Sequence, residues 1–325
     1  MKLAILGAGA LGCVLGGFIA EAGYDVILIG RRKSHIDAIN QKGLVITGFC
    51  GRHVVKVLAT YNPLEVKDAE FLILTIKTME TAEALESVKH LYKNVNSVLS
   101  LQNGMEKDEQ LTKRFGLNKV IGGTTMVGGA LLGDGHVEYA LEGVTFLGEL
   151  DGRKTERIES IAKIFNDAGL KTEIVDDIWA AEWTKLTLAV AFMALSSLTR
   201  VENQKVMRSP SLARLFVQLV KECASVAAKE GVQVKKYAGM EIIKGVADAN
   251  FETAVELVVK AGIELEKAGK TGFKSSMLQT ILSGRKTEVE GTIGYVLKKA
   301  RELNVDVPGV TFCYMAIRGI NDYLK

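Results

Sequence analysis

The sequence predicts an α/β domain over residues 1–175 followed by an all-helical domain over residues 176–325, on three observations. The opening segment MKLAILGAGALG is a short apolar run that passes directly into Gly7-x-Gly9-x-x-Gly12. Strand-like and helix-like patterns then alternate as far as Val175, which implies a parallel sheet covered by helices. Beyond Asp176 strand signals nearly vanish and 3.6-residue periodicities take over, with 3 prolines in the whole chain to interrupt them.

The first strand ends at the glycines; a helix-like run from Cys13 to Ala22 and a second strand, Asp25 to Ile29, complete a βαβ unit. Then come a helix near Ser34 to Gln41, a strand-like pair at Leu44 to Ile46 and Val54 to Ala59, and a buried-looking strand at Phe71 to Ile76. A helix over Thr78 to Leu91, a strand at Val98 to Leu101, a helix over Lys107 to Phe115 and a short strand at Val120 to Ile121 continue the alternation. From Thr124 to Glu149, glycine-rich short strands at Met126 to Ala130, His136 to Ala140 and Val144 to Leu147 read as antiparallel additions to the same sheet. A helix from Arg153 to Ala168 and a strand from Thr172 to Val175 close the first domain. In the second, helices are expected at Asp177 to Leu198 with Asp177 as N-cap, Ser211 to Glu230, Ala249 to Lys267, a short piece from Ser275, Thr287 to Leu303 and Pro308 to Tyr323. Asn304 and Pro308 end the helix before them.

A length of 325 residues suits two domains, and 48% hydrophobic with 24% charged residues is a globular composition. The net charge of +3 gives no nucleic-acid footprint and no pull to an acidic lipid surface, so the expected partner is a small molecule. Cys13, Cys50, Cys223 and Cys313 lie far apart with no metal-ligand spacing, and read as free thiols in a reducing compartment. His35, His53, His90 and His136 are scattered and are expected in surface or turn positions. The N-terminal glycines interrupt what would otherwise resemble a secretory signal, and Leu186 to Leu198 is too short for the ~20 residues a bilayer crossing needs. A cytoplasmic protein is expected.

The glycine turn is where a dinucleotide pyrophosphate would sit, since Gly7, Ala8, Gly9, Ala10, Leu11 and Gly12 bring backbone N–H groups and a helix N-terminus to two phosphates. Where an NAD site places an acidic residue after the second strand, this chain has Gly30, Arg31, Arg32 and Lys33. Those cations suit a 2′-phosphate and favour NADPH, although a solvated basic loop has the same composition. Open α/β sheets bind ligands at the carboxyl ends of their strands, which draws attention to Lys77 and to Gln102-Asn103-Gly104. From spacing alone these are also a helix start and a good turn pair. Lys185 lies in an otherwise apolar stretch containing Trp179, Trp183, Leu186, Leu188, Val190 and Phe192, with Glu182 one turn earlier. A desolvated lysine suits a general acid, and a snorkelling structural lysine is the other reading.

At these residues the chain resembles the ketopantoate reductase (2-dehydropantoate 2-reductase) family over essentially its full length. The resemblance is carried by GAGALG, Arg31, Lys77 in TIKT, LQNGM around Asn103, GGTT at 122–125, EWTKL around Lys185, and SSMLQ at 275–279 followed by RKTEVE. It implies a Rossmann-type NADP-binding domain and a helical substrate domain. The implied reaction is NADPH-dependent hydride transfer to the C2 ketone of 2-dehydropantoate, giving pantoate for pantothenate and coenzyme A synthesis. By the same resemblance Lys185 is the proton donor, and Asn103 bridges nicotinamide ribose and substrate. Ser276 contacts the substrate, Glu288 holds the cofactor and orients Lys185, Lys77 and the glycine turn bind the cofactor, Arg31 takes the 2′-phosphate, and Asn203 matches a substrate-side position. Family members usually carry asparagines one and two turns after the lysine, where this chain has Ala189 and Met193. That departure motivates a same-family reductase of a less polar 2-oxo acid as an alternative, and a non-catalytic NADP(H) sensor is the alternative from another class. Apolar helix faces in the second domain can pack internally or against a second copy, so a homodimer stays open.

Overall fold

The computed structural model describes residues 1–324 and divides into two compact units, residues 1–103 with 107–178, and residues 104–106 with 179–325. In the first, β1 (Leu3–Leu6), α1 (Ala10–Glu21), β2 (Val26–Ile29), α2 (Lys33–Lys42), β3 (Leu44–Gly48), β4 (His53–Val55), β5 (Leu58–Thr60), β6 (Phe71–Leu74), α3 (Thr81–Ser87), β7 (Ser97–Ser100) and α4 (Glu106–Phe115) follow in order. Then come β8 (Val120–Thr125), β9 (Gly128–Gly133), β10 (His136–Leu141), β11 (Thr145–Glu149), α5 (Glu156–Asp167) and β12 (Thr172–Ile174). The main sheet has the order β12-β11-β8-β7-β6-β1-β2-β5 and is parallel except where β11 runs antiparallel to β8. LAIL, FLIL and SVLS are buried at every position, as strands covered on both faces must be. One face packs α1 and α5 through Leu15, Ile19, Ile161 and Phe165, and the other packs Leu85, Leu91 and Leu111.

Three expectations are corrected. Val54 to Ala59 is not one strand: β4 pairs with β3, while β5 is the edge strand beside β2 in the main sheet. The glycine-rich strands do not all join the main sheet, because β9 and β10 form a second, four-stranded sheet with β3 and β4, and only β11 is an antiparallel addition. The Thr78 to Leu91 helix is broken into a 3₁₀ turn, the short α3 and a second 3₁₀ turn.

The second unit is helical: α6 (Ile178–Thr199), which begins in the first unit with its first residue, α7 (Asn203–Arg208), α8 (Pro210–Lys229), α9 (Glu241–Asp248), α10 (Phe251–Lys267), α11 (Ser276–Leu282), α12 (Ile293–Glu302) and α13 (Pro308–Asn321). The short α7 and α9 were not expected, and residues 287–292 precede α12 rather than belonging to it. Asn304 takes a positive φ just past α12, as a helix terminator does. α6, at 22 residues, is longer than its apolar stretch suggested and is long and apolar enough by composition to cross a bilayer, yet 78% of that window is buried inside the fold. It is therefore a core helix, with Trp183 fully buried and its indole N–H donating to Glu230 at 2.9 Å. Glu222, buried on α8, accepts from the first amides of α13, Gly309 N at 3.0 Å and Val310 N at 2.8 Å, and so anchors that helix by its positive end.

Candidate functional site

The three glycines of the N-terminal turn do three different things. Gly7 has φ +124° and lies so close to Ile76 that a Cβ would stand 2.8 Å from its backbone N. A Cβ on Gly12 would collide with the Gly7 carbonyl oxygen and stand 2.6 Å from the Thr75 hydroxyl, which itself donates to Gly7 O at 2.8 Å. Gly9, the N-cap of α1, has open space where its Cβ would be. α1 carries no side-chain cap and no acidic residue in its first turn, so the amides of Ala10, Leu11 and Gly12 have no intrahelical acceptor and face that opening with the helix's positive end. The turn is closed on two sides and open on one, which fits a pyrophosphate. Thr75, which pins the turn from the next strand, was not singled out from sequence.

The other residues expected in the first unit gather at the same sheet edge. Arg31 lies just past β2, whose last carbonyl, Ile29 O, accepts from Gly7 N at 2.8 Å. Arg31 pairs with Glu80 at 2.5 Å, Arg32 with Asp134 at 2.6 Å and Lys33 with Asp37 at 2.6 Å. Lys77 caps the 3₁₀ turn after β6, and Asn103 follows β7. Gln102 beside it is a structural amide, accepting from Ser100 Oγ and donating to Thr81 Oγ1, each at 2.8 Å. Beneath the turn, His35 is 2% exposed rather than on the surface. Its Nδ1 accepts from Gly135 N at 2.9 Å, its Nε2 lies 3.4 Å from Cys13 Sγ, and burial holds its pKa below the ordinary value. Burial pushes the Cys13 thiol up to about 12, so it is inert.

In the second unit Lys185 is partly exposed on α6 while its neighbours Trp183, Thr184, Leu186 and Thr187 are buried. Ala189 and Met193, one and two turns on, are 9% and 6% exposed. Ser196, about three turns beyond Lys185 and so on the same face of the helix, meets the Ser275 hydroxyl at 2.6 Å. Ser275 is thus the buried N-cap that docks α11, and Ser276 after it is exposed. Asn203 N donates to Phe273 O at 2.9 Å, which brings α7 to the same segment, and Asn203 Oδ1 is buried with no hydrogen-bond partner among the described residues. Glu288 is held in its loop by its own carbonyl, which accepts from Thr292 Oγ1 at 2.9 Å, and by Thr287 N donating to Asn321 at 2.9 Å. Gly104, with φ +89°, packs on the backbone of Gly291, three residues past Glu288. Among the described residues no His, Cys, Asp and Glu cluster could hold a metal.

Residues 3–152 match the family described as ketopantoate reductase PanE/ApbA, and residues 177–321 match its C-terminal region. A 2-dehydropantoate 2-reductase from Archaeoglobus fulgidus is 35% identical over 323 residues, 99% of each chain. A PanE/ApbA family ketopantoate reductase structure from Ralstonia eutropha JMP134 superposes with a TM-score of 0.82 at 29% identity, covering 99% of each chain. A D-mandelate dehydrogenase structure, solved with NADH and anilino(oxo)acetate, shares the fold with a TM-score of 0.85 at 23% identity, again over 99% of each chain.

Proposed function

The chain belongs to the ketopantoate reductase family and is an oxidoreductase, and from that premise we propose that it reduces 2-dehydropantoate to pantoate with NADPH, Lys185 giving the proton. The observation that supports the proposal is Lys185 itself, a partly exposed ammonium on α6 whose neighbours Trp183, Thr184, Leu186 and Thr187 are buried, a setting that suits a proton donor to a developing oxyanion. The product would feed pantothenate and coenzyme A synthesis.

The glycine turn and the α1 amides hold the pyrophosphate, Arg31 takes the 2′-phosphate and Lys77 meets ribose or phosphate. A nicotinamide bound there supplies a hydride to the C2 carbonyl carbon. Lys185 Nζ donates its proton to the carbonyl oxygen as negative charge develops on it, and its positive charge stabilises that oxygen beforehand. Asn103 orients ribose and substrate, Glu288 holds the cofactor and orients Lys185, and Ser276 with Asn203 receives the substrate's polar end. The orphaned Asn203 Oδ1 supports that last role, since a buried acceptor without a donor is open to a ligand hydroxyl.

The test is NADPH oxidation by the purified chain with 2-dehydropantoate, beside NADH and a panel of branched and aromatic 2-oxo acids. Turnover confined to other 2-oxo acids contradicts the substrate assignment. Buried Ala189 and Met193 favour a second reading, a less polar 2-oxo acid as substrate, because two amides that would each contribute roughly 1.5 to 3 kcal/mol to a charged group are absent. The D-mandelate dehydrogenase, solved with anilino(oxo)acetate, shares the fold at 23% identity and fits that reading only in part. Ala189→Asn with Met193→Asn decides between them: a gain on 2-dehydropantoate with loss on another acid supports the second.

A further inference from the structure

β6, β1 and β2 are parallel neighbours, so the segments following β6 and β2 flank the glycine turn on its two sides. Both flanks lie against it: the amides of Gly7 and Ala8 bond to Ile29 O, and a Cβ on Gly7 would touch Ile76. From the β2 side comes Arg31 and from the β6 side comes Glu80. Arg31 Nη2 and Glu80 Oε1 meet at 2.5 Å, bridging the edge of the sheet above β1. The other two cations of the cluster, Arg32 and Lys33, also face carboxylates, Asp134 and Asp37, at 2.6 Å each. The basic run that suggested a phosphate site is therefore neutralised residue by residue.

We propose that Glu80 sets the choice between the two nicotinamide dinucleotides, competing with a 2′-phosphate for Arg31 and accepting from a free ribose 2′-hydroxyl, so that the chain takes NADH as well as NADPH. The proposal rests on the glycine turn being the cofactor site. An acidic residue near this strand end accepts from the ribose hydroxyl of NAD, and an arginine takes the extra phosphate of NADP. Here the two devices stand in one ion pair. Arg31 is 71% and Glu80 28% exposed, and an exposed pair of this kind is weak enough for a phosphate dianion to displace. The displaced carboxylate remains beside the phosphate and repels it. That penalty falls on the phosphorylated ribose alone, which makes Glu80 a specificity residue rather than part of the general phosphate cradle.

The test is isothermal titration of the full chain and of its Glu80→Gln, Glu80→Asp and Arg31→Ala variants with adenosine 2′,5′-bisphosphate and with adenosine 5′-monophosphate. Wild type is expected to bind the two within about tenfold of each other, and Glu80→Gln to bind the bisphosphate about five- to tenfold tighter without gaining on the monophosphate. Glu80→Asp keeps the charge and is expected to stay near wild type, while Arg31→Ala weakens the bisphosphate only. An unchanged ratio in Glu80→Gln, with both nucleotides still binding, overturns the proposal and leaves the cofactor site standing. If neither nucleotide binds wild type, the cofactor site itself is wrong and the proposal falls with it.

Discussion

Replacing Gly9 and Gly12 by alanine, one at a time, separates the fold of the turn from its function. At Gly9 the backbone is extended, with φ −89° and ψ −165°, and a Cβ meets nothing within 4 Å. Gly9→Ala should leave the apo protein as stable as wild type, yet its methyl fills the opening through which a phosphate approaches the α1 amides. Two charge-assisted hydrogen bonds lost or lengthened, at roughly 1.5 kcal/mol each, weaken cofactor binding by about 100-fold. Thermal unfolding with and without NADPH reads this out. At a concentration of about 100 Kd for wild type, bound cofactor adds about 2.7 kcal/mol, and about 0.4 kcal/mol if Kd is 100-fold higher. With roughly 2 to 4 °C per kcal/mol for a unit of this size, the cofactor-induced rise in Tm falls from about 5 to 11 °C to about 1 °C. Gly12→Ala behaves oppositely: its Cβ collides with Gly7 O and Thr75 Oγ1, and such overpacking costs about 1 to 3 kcal/mol in the apo protein. A Gly9→Ala protein with a full NADPH-induced shift would refute the placement of the pyrophosphate, and a fully stable Gly12→Ala would refute the packing argument.

Lys185→Ala should lower kcat by about 10²- to 10⁴-fold, the range of general acid catalysis, while NADPH affinity measured by fluorescence titration stays within about threefold of wild type. Glu222→Ala should destabilise the second unit by about 2 to 3 kcal/mol in urea unfolding, because two amides of α13, Val310 N buried and Gly309 N partly so, lose a charged acceptor, while NADPH titration is unaffected. His35 has a folded pKa below its ordinary value of 6.5, chiefly through burial, so its contribution to stability is complete above pH 6.5 and is lost as pH falls towards the lowered folded value. His35→Gln should remove that part of the loss in urea midpoints measured from pH 7.5 to 5. His53, raised by its bond to Glu21, acts in the opposite sense, so the difference between variant and wild type is the quantity to follow.

The parallel strands were legible because strands buried on both faces read as near-continuous apolar runs, and the glycine turn because three glycines at that spacing have no cheaper explanation after a strand. Sheet membership was not legible. β9 and β10 have the local pattern of main-sheet additions, but β10 pairs with β3 some ninety residues earlier, and nothing local records that partner. Val54 to Ala59 hides a change of sheet within six residues for the same reason. His35 gave no sign of burial because the amide that satisfies it, Gly135 N, is 100 residues away. In the second unit the SSMLQ motif drew attention to Ser276, whereas the hydroxyl that docks α11 on α6 is Ser275, a distinction set by helix phase rather than by the motif. The Arg31 to Lys33 run was visible as charge, but its neutralisation by Glu80, Asp134 and Asp37 depends on long-range and helical placement together.

If the chain transfers a hydride from a nicotinamide to C2 of 2-dehydropantoate, an isotope label on that hydride ends up in the product. The purified chain is incubated with 2-dehydropantoate and NADPH carrying two deuterium atoms at C4 of the nicotinamide, and the product is analysed by mass spectrometry. Pantoate one mass unit heavy, with the deuterium on C2, and its near disappearance in Lys185→Ala, is the expected result. Unlabelled pantoate, or no pantoate from a protein that binds NADPH, would contradict the account.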